Sequence, residues 1–575
     1  MRKFRFPLYS VFGAAFLVAC GLILFPTGGR DDAYITYWAA YSLAKYGRVL
    51  NYNLMPVEQS SSLAQVVLIG TFARLFNLDV VLFGRISAIL GALAVVFAAA
   101  YWLPKVGQKN VPLVILLLAA NPFFIYWSFG GLETSLAAFG WLVFVVFQTL
   151  YLEQNQTGWL LAAGLLVLYI RPENALIVGL FSVTVLMIAV YRHFISTELL
   201  GTFHARRSPE SRAGLLRAAR LLLVNGVMTL VALGLRYAWF GDIFPQPVRA
   251  KTGGISGVLL AQGLQYLADT YLNLSMGPVM LACLVGMALL LYLFFVKKQV
   301  EPFLLNVAAL LGIYLAFMLL TGGDWMEGGR FSVHVMPLIC ILAAYALAGI
   351  RRRPVFFVIC VGMLALQLVG MYQFARAEST AIPAWKNISL AGVNLDGYDW
   401  FETHNVLALR DMPTIAALED VLQKSLALKS PLVVMSGQMG MVPYYTAQKF
   451  PGQIIWLDRS GLADRVFTTC PDTAGWERET RGHLHFTYNT FMRYLPELQT
   501  KCAIPTPDII FDLGLNIGQV ADHGFTVVYS QTGSLNGGIG SQDHQMDVSQ
   551  FIAINQKDVD LIRAAGTLPR ELEVK

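Results

Sequence analysis

The sequence predicts a polytopic α-helical membrane protein with a C-terminal soluble α/β domain. Three observations predict it. Mean hydropathy is +0.57, and a chain of 575 residues is 56% hydrophobic and only 14% charged, far less charge than a soluble protein of this size carries. Lys and Arg gather in short loops between apolar runs, which sets a membrane topology and leaves no basic surface of the kind that binds nucleic acid. From Ala375 onward the composition becomes that of an ordinary soluble protein. The expected division is therefore a membrane domain over 1–374 and an α/β domain over 375–575.

Taken in order, Arg2, Lys3 and Arg5 hold the N-terminus inside, so span one (Leu8 to Phe25) exits. Leu17-Val18-Ala19-Cys20 resembles a lipoprotein processing site, but the apolar run continues to Phe25, long enough to read as a retained anchor. Ala33 to Tyr46, rich in Tyr and Trp, reads as an amphipathic helix lying in the interface. Ser62 to Leu78 is only marginally long enough to span and is interrupted by Gln65 and Arg74. Placing it in the outer interface puts Lys105 and Lys109 inside and Glu133 outside. Spans two to six are then Leu82–Leu103, Val111–Trp127, Thr134–Leu152, Trp159–Ile170 and Ala175–Tyr191. Spans seven to eleven are Leu221–Trp239, Gly277–Val296, Phe303–Leu320, Val333–Ile350 and Val355–Phe374. The basic groups Arg192 to Arg220, Lys297-Lys298 and Arg351-Arg352-Arg353 all become cytoplasmic, which selects this count of about eleven. It places the C-terminal domain on the outer, extracytoplasmic side.

In the soluble part Pro431 to Gly437 reads as a buried strand ending in a Gly turn, and Met439 to Ala447 as a helix. Gln453–Leu457, Pro507–Leu513 and Phe525–Ser530 are further strands. Cys20, Cys283, Cys340 and Cys360 sit in apolar runs as small core residues, while Cys470 and Cys502 could pair in an oxidising compartment. The sequence carries no internal repeat, Walker loop, dinucleotide fingerprint or zinc-ligand spacing. His483 and His485 fit neither a zinc finger nor a helical metal site.

Charge counted in the inner loops alone places a series of polar motifs together on the outer face. The first is Gly28-Gly29-Arg30-Asp31-Asp32-Ala33-Tyr34, where two adjacent carboxylates follow span one directly. Ionisable groups there are costly unless they face a cavity and act, and like charges side by side push one pKa above the other. The plainer reading is that Asp32 caps the following helix and Asp31 is favoured by its dipole, but capping needs only one Asp. Gly130-Gly131-Leu132-Glu133-Thr134 puts a carboxylate at the mouth of span four, where it either caps or works. Arg171-Pro172-Glu173 reads as a local ion pair supporting its turn. Phe240-Gly241-Asp242-Ile243-Phe244-Pro245, followed by Arg249 and Lys251, puts cations on the outer face. They want an anion, for which a lipid phosphate is the natural candidate. In Gly322-Gly323-Asp324-Trp325-Met326-Glu327-Gly328-Gly329-Arg330 the glycines permit close backbone approach to a ligand. Arg330 there can grip phosphate in two places, or merely snorkel to headgroups. His334 reads as a packed polar residue rather than a metal ligand.

These motifs together carry a resemblance. Asp31-Asp32-Ala33-Tyr34-Ile35, Val57-Glu58, Gly131-Leu132-Glu133-Thr134, Arg171-Pro172-Glu173, Phe240-Gly241-Asp242 through Lys251, and Gly322-Gly323-Asp324-Trp325 through Arg330-Phe331 occur in one order. The chain resembles the GT-C superfamily of polyprenyl-phosphate-sugar-dependent glycosyltransferases, and within it the branch of terminal arabinofuranosyltransferases of cell-wall arabinan. The likeness runs over nearly the whole chain, including Ser436-Gly437…Tyr444-Tyr445 and Asp458…Gly461-Leu462-Ala463-Asp464-Arg465. It implies a catalytic carboxylate in the first outer loop, Asp31 or Asp32, with Glu133 as the second acid of the pocket and basic residues on a donor phosphate. One departure is that Val57-Glu58 is followed by Gln59-Ser60-Ser61-Ser62-Leu63, where the family usually reads Gly-Tyr/Thr-Ser-Asn-Pro-Leu. A different acceptor or donor would account for it.

The expected reaction moves a sugar, for instance a pentofuranose such as arabinofuranose, from a polyprenyl-phosphate donor to a hydroxyl of a cell-envelope glycan acceptor. A phosphodiester leaving group needs no protonation, so one general base suffices. Asp32 is assigned that role, with Asp31 positioning the acceptor or a metal. Arg330 and Lys251 stabilise the departing phosphate, while Tyr34, Glu58, Glu133, Arg171, Asp242 and Asp324 complete the substrate-binding set. An oxygen-binding divalent cation (Mg, Mn or Ca) is compatible with the acids but not required. The rival expectation is a polyprenyl-lipid or sugar transporter, which would place polar residues near span midpoints.

Overall fold

The computed structural model of the protein describes residues 7–25, 31–198, 209–251, 257–297, 301–324, 326, 328–377, 389–390, 393–394, 415–437, 439–459, 461–465, 488–514, 520–536 and 545–564. The basic N-terminal residues Arg2, Lys3 and Arg5, and also Cys470, His483 and His485, lie outside them.

Among the described residues seven helices are long and apolar enough to cross a membrane: Val80–Val106, Thr134–Gln154, Asn174–His193, Arg212–Phe240, Gly277–Phe295, Pro302–Leu320 and Arg353–Gln373. The third expected span is a broken one, Val111–Ala119 followed by Pro122–Phe129 with a bend of 64°. Pro122 has no N–H to continue the first segment, and Asn121 restarts the second by accepting from Phe124 N at 2.9 Å. The shorter apolar helices Leu8–Leu24, Leu160–Ile170 and Met336–Ala348 stand at expected spans one, five and ten. Span ten also starts differently than expected, because Arg330–His334 forms its own short helix and Pro337 occupies the first turn of the next. Leu63–Phe76, at 14 residues, rises only about 21 Å, too little for a hydrocarbon core. The protein is a multi-pass helical membrane protein with a C-terminal sheet.

The chain divides into two compact units, each discontinuous in sequence: 1–28 with 85–238 and 259–398, and 29–84 with 239–258 and 399–575. The first is the bundle of long helices. Its span interiors are not wholly apolar. Asn225 donates to Ser182 Oγ at 2.8 Å and to Gln148 Oε1 at 3.2 Å, and Asn306 donates to Thr149 Oγ1 at 2.9 Å. Single polar residues inside apolar runs are costly to leave alone and find one another across helices.

The second unit is built on a five-stranded sheet of β1 (Leu432–Ser436), β2 (Ile454–Asp458), β3 (Ile509–Gly514), β4 (Phe525–Asn536) and β5 (Gln545–Asn555). The order is β2-β1-β3-β5-β4. β1 runs parallel to both β2 and β3, and the β3–β5 and β5–β4 pairs are antiparallel. β1 is buried at every residue, as its unbroken apolar run requires of a central parallel strand. Met435, Leu457, Leu498, Ile510 and Phe551 form the core with Val520. β5 had no sequence expectation, because Asp547 and Gln550 break its apolar pattern.

In this unit the first-loop helix, Asp31–Tyr46, is not the exposed interfacial helix its composition suggests. Every residue from Ala33 to Ala40 is buried. The Leu63–Phe76 helix packs along it closely enough that a Cβ on Gly70 would press on the Ala40 carbonyl, and Met441–Lys449 packs against it.

Candidate functional site

Each unit carries one polar cluster. In the sheet-bearing unit the cluster starts at Asp31 and Asp32, which occupy the first turn of their helix, where the dipole favours anions. The two carboxylates are used differently. Asp31 Oδ1 accepts from the backbone N–H of Met441 at 2.7 Å. Asp32 has no hydrogen-bond or ion-pair partner among the described residues. A Cβ on Gly440 would overlap the Asp31 carboxylate, so only glycine lets that turn close on it.

Aromatic rings surround the turn. Tyr34 meets Tyr444 and Tyr445 at ring-centroid distances of 5.4 and 6.0 Å, and Trp38 stacks on Tyr52 at 5.0 Å. The Tyr52 hydroxyl reaches the carbonyls of Met439 at 2.9 Å and Gly440 at 3.3 Å. Burial, and after it the nearby Asp31 charge, push the Tyr52 phenol well above its ordinary value, so it stays a donor. On either side of it Asn51 donates to the Ala463 carbonyl at 3.0 Å. Asn53 exchanges two bonds with Trp456, donating to its carbonyl at 2.9 Å and accepting from its N–H at 2.7 Å. Asn53 thereby pairs with the edge strand β2 as a neighbouring strand would.

The serine-rich departure after Glu58 has a structural use. Gln59 donates to the Ile35 carbonyl at 2.8 Å, Ser60 Oγ meets Thr36 Oγ1 at 2.9 Å, and Ser62 caps the Leu63–Phe76 helix. Glu58 itself is buried at 2% exposure, and its carbonyl accepts from Gln246 N at 2.9 Å. Gln246 also donates to the Gly461 carbonyl at 2.9 Å, which fixes the start of the Gln246–Lys251 helix. Asp242 does not wait for a lipid there. It takes a two-point grip from Arg249, through Nε and, at 2.7 Å, Nη2. Partial burial pushes its carboxyl up, but the Arg249 and Phe244 N–H bonds outweigh this and hold it below the usual range. The anion expected for Arg249 is therefore its own loop's carboxylate. Lys251 ends that helix, and its side chain lies outside the described residues.

In the helical unit the cluster is made of paired charges. Arg171 is clamped by Glu133 and Glu173, each at 2.7 Å; the local pair with Glu173 is joined by a carboxylate 38 positions earlier. Arg330 is held by Asp324 through Nε at 2.5 Å and Nη2 at 3.1 Å. The guanidiniums of Arg171 and Arg330 lie 4.9 and 5.5 Å from the ring centre of Phe331, near enough for cation–π attraction. Gly322, Gly323, Gly328 and Gly329 all have positive φ, from 54° to 81°, so the glycines turn the backbone. Trp127 donates to the Gly328 carbonyl at 3.0 Å. His334 is fully buried with Nδ1 2.6 Å from the Tyr314 hydroxyl, a packed polar residue.

The residues sequence reasoning missed are Gly440, Met441, Tyr52 and Asn53, all partners of the first loop. The two glycines, Gly437 and Gly440, that follow a buried strand were the available signal. Among the described residues no three His, Cys, Asp or Glu are grouped to hold a metal ion. Cys502 is disulfide-bonded and Cys20, Cys283, Cys340 and Cys360 are free.

No protein-family model and no curated protein matches the chain. Among solved structures it is similar to ArnT from Cupriavidus metallidurans bound to undecaprenyl phosphate, with 14% identity and a TM-score of 0.46 over 95% of this chain and 97% of that one. The apo state of the same protein gives 14% and 0.48 over 95% and 98%. The oligosaccharyltransferase of Archaeoglobus fulgidus, in complex with Zn and sulfate, gives 12% and 0.46 over 88% of this chain and 68% of that one.

Proposed function

We propose that this protein is a membrane glycosyltransferase that moves a sugar from a polyprenyl-phosphate donor to a hydroxyl of a cell-envelope glycan. Asp32 removes the acceptor proton as the acceptor oxygen bonds to the anomeric carbon. The bond from that carbon to the phosphate oxygen breaks, and polyprenyl phosphate leaves with the electron pair. The observation that carries this reading is the inequality of the two adjacent acids: Asp31 is committed to Met441, whereas Asp32 has no partner among the described residues. A general base must be unencumbered and near its proton.

Arg330, Arg171 and Lys251 are assigned to the departing phosphate. The bound carboxylates of the two arginines orient their planar forks in advance, as transition-state stabilisation by fixed charge requires. Tyr34, Glu58, Glu133, Asp242 and Asp324 are assigned to shaping the binding regions. No step is assigned to a metal. The sugar is proposed to be a pentofuranose on the sequence resemblance, at the outer face of a bacterial inner membrane.

The transporter reading draws on the polar residues found inside the spans. Asn225, Gln148 and Ser182 bond one another, which assigns them to helix packing rather than to a substrate. Mass spectrometry of surface glycans separates the two readings. A deletion strain should lack one glycosylation, and wild-type protein should restore it. Asp32→Asn should restore it about 10²–10⁴-fold more slowly. Full restoration by Asp32→Asn would remove the base from the scheme.

A further inference from the structure

We infer that the C-terminal domain is a working part of the acid site, and that Asp31 is a positioning residue rather than a proton carrier. The inference rests on the proposed reaction for its consequence but not for its geometry. The Met441–Lys449 helix begins at Gly440, which has no side chain to cap it. The first turn of any helix leaves backbone donors unmet. Here the acceptor comes from 410 positions away, as Asp31 Oδ1 on Met441 N–H at 2.7 Å. One bond therefore caps a helix of the α/β domain and pins the first turn of the helix that carries Asp32.

The pin does not act alone. Tyr52 holds the Met439 and Gly440 carbonyls with one hydroxyl. Tyr34, two residues after Asp32, packs on Tyr444 of the capped helix. Gly440 admits no Cβ against the carboxylate. These contacts set the height and rotation of the Asp31–Tyr46 helix at its first turn. Asp32 follows Asp31 in the backbone, so its carboxylate is placed by an interaction it does not itself make. A shift of roughly 1 Å in such a group costs about a hundredfold in rate.

The bond to Met441 uses an Asp31 oxygen as acceptor. Asn keeps that oxygen; Ala does not. In the deletion strain we expect Asp31→Asn to lower restoration of the missing glycan about threefold and Asp31→Ala by tenfold or more, the worth of one hydrogen bond to a buried partner. Gly440→Ala should match Asp31→Ala. The contact is read without activity by thermal unfolding of the full chain in detergent. There Gly440→Ala should lower the melting temperature in wild-type background and much less in Asp31→Ala, since removing the carboxylate relieves the overlap. Additive melting shifts would show that the turn and Asp31 do not touch and would overturn the inference. So would an Asp31→Asn as inactive as Asp32→Asn, since charge would then be needed at both positions. If the melting cycle couples while Asp32→Asn restores the glycan fully, the pin stands and the enzymatic reading fails.

Discussion

The two polar clusters treat charge in opposite ways. In the helical unit each named acid has a base and each base an acid: Arg171 with Glu133 and Glu173, Arg330 with Asp324. In the sheet-bearing unit the two acids at the first turn differ: Asp31 is held by the Met441 N–H, and Asp32 has no hydrogen-bond or ion-pair partner among the described residues. A buried charge without a partner is costly, so paired charges are stable where they stand, while an unpaired, half-buried carboxylate is what the proposed base role at Asp32 calls for. The contrast turns a set of acidic residues that look equivalent in sequence into two kinds.

The sharpest way to break that contrast is Glu133→Ala, which takes one of the two carboxylates from Arg171 and leaves Glu173 alone on a side chain that is 7% exposed. A loss of about 1.5–3 kcal/mol is expected, seen as a drop in the melting temperature of the purified protein. Asp32→Asn should leave that temperature within about 0.5 kcal/mol of wild type, because no contact is lost. Equal effects at the two positions would erase the distinction.

Within the sheet-bearing unit, Asn53→Ala removes two bonds to β2 and should cost about 1–3 kcal/mol, with faster proteolysis of the first loop as its readout. Within the helical unit, Asn225→Leu should cost only about 0.6 kcal/mol, the usual worth of a bond between helices in lipid. The smallest effect is at Asp242. Its carboxyl is held below its ordinary value, so the stability it gives is present above the unfolded pKa and disappears as pH falls through the folded one. The coupling between Asp242→Asn and Arg249→Ala in melting experiments should therefore be visible at neutral pH and vanish well below about pH 4.

How much of this was legible in the sequence follows from the range of the interactions. The long apolar helices, and the strands at 432–436, 454–458 and 509–514, were readable because periodicity and composition are local. The Arg171–Glu173 pair was readable for the same reason, being two residues apart. The fate of the first-loop helix was not. Its Tyr and Trp residues have the composition of an interface anchor, and the rings that pack on them come from Tyr52 and from Tyr444 far along the chain. Arg249 looked like a free cation only because Asp242 lies across a turn from it. The bend at Pro122 and the restart at Pro337 were written in the sequence as helix breakers, but apolar runs on both sides concealed them.

The side-chain amide of Asn53 closes on a strand 403 positions further along the chain. A ribosome adding about 5–20 residues per second needs roughly 20–80 s to cover that distance. Throughout that interval the acids of the first loop have already been made, while the turn that aligns them has not. On the proposed scheme the base is therefore placed only after residue 456 has been made, and a chain stopped before residue 440 carries both acids without the turn that holds Asp31.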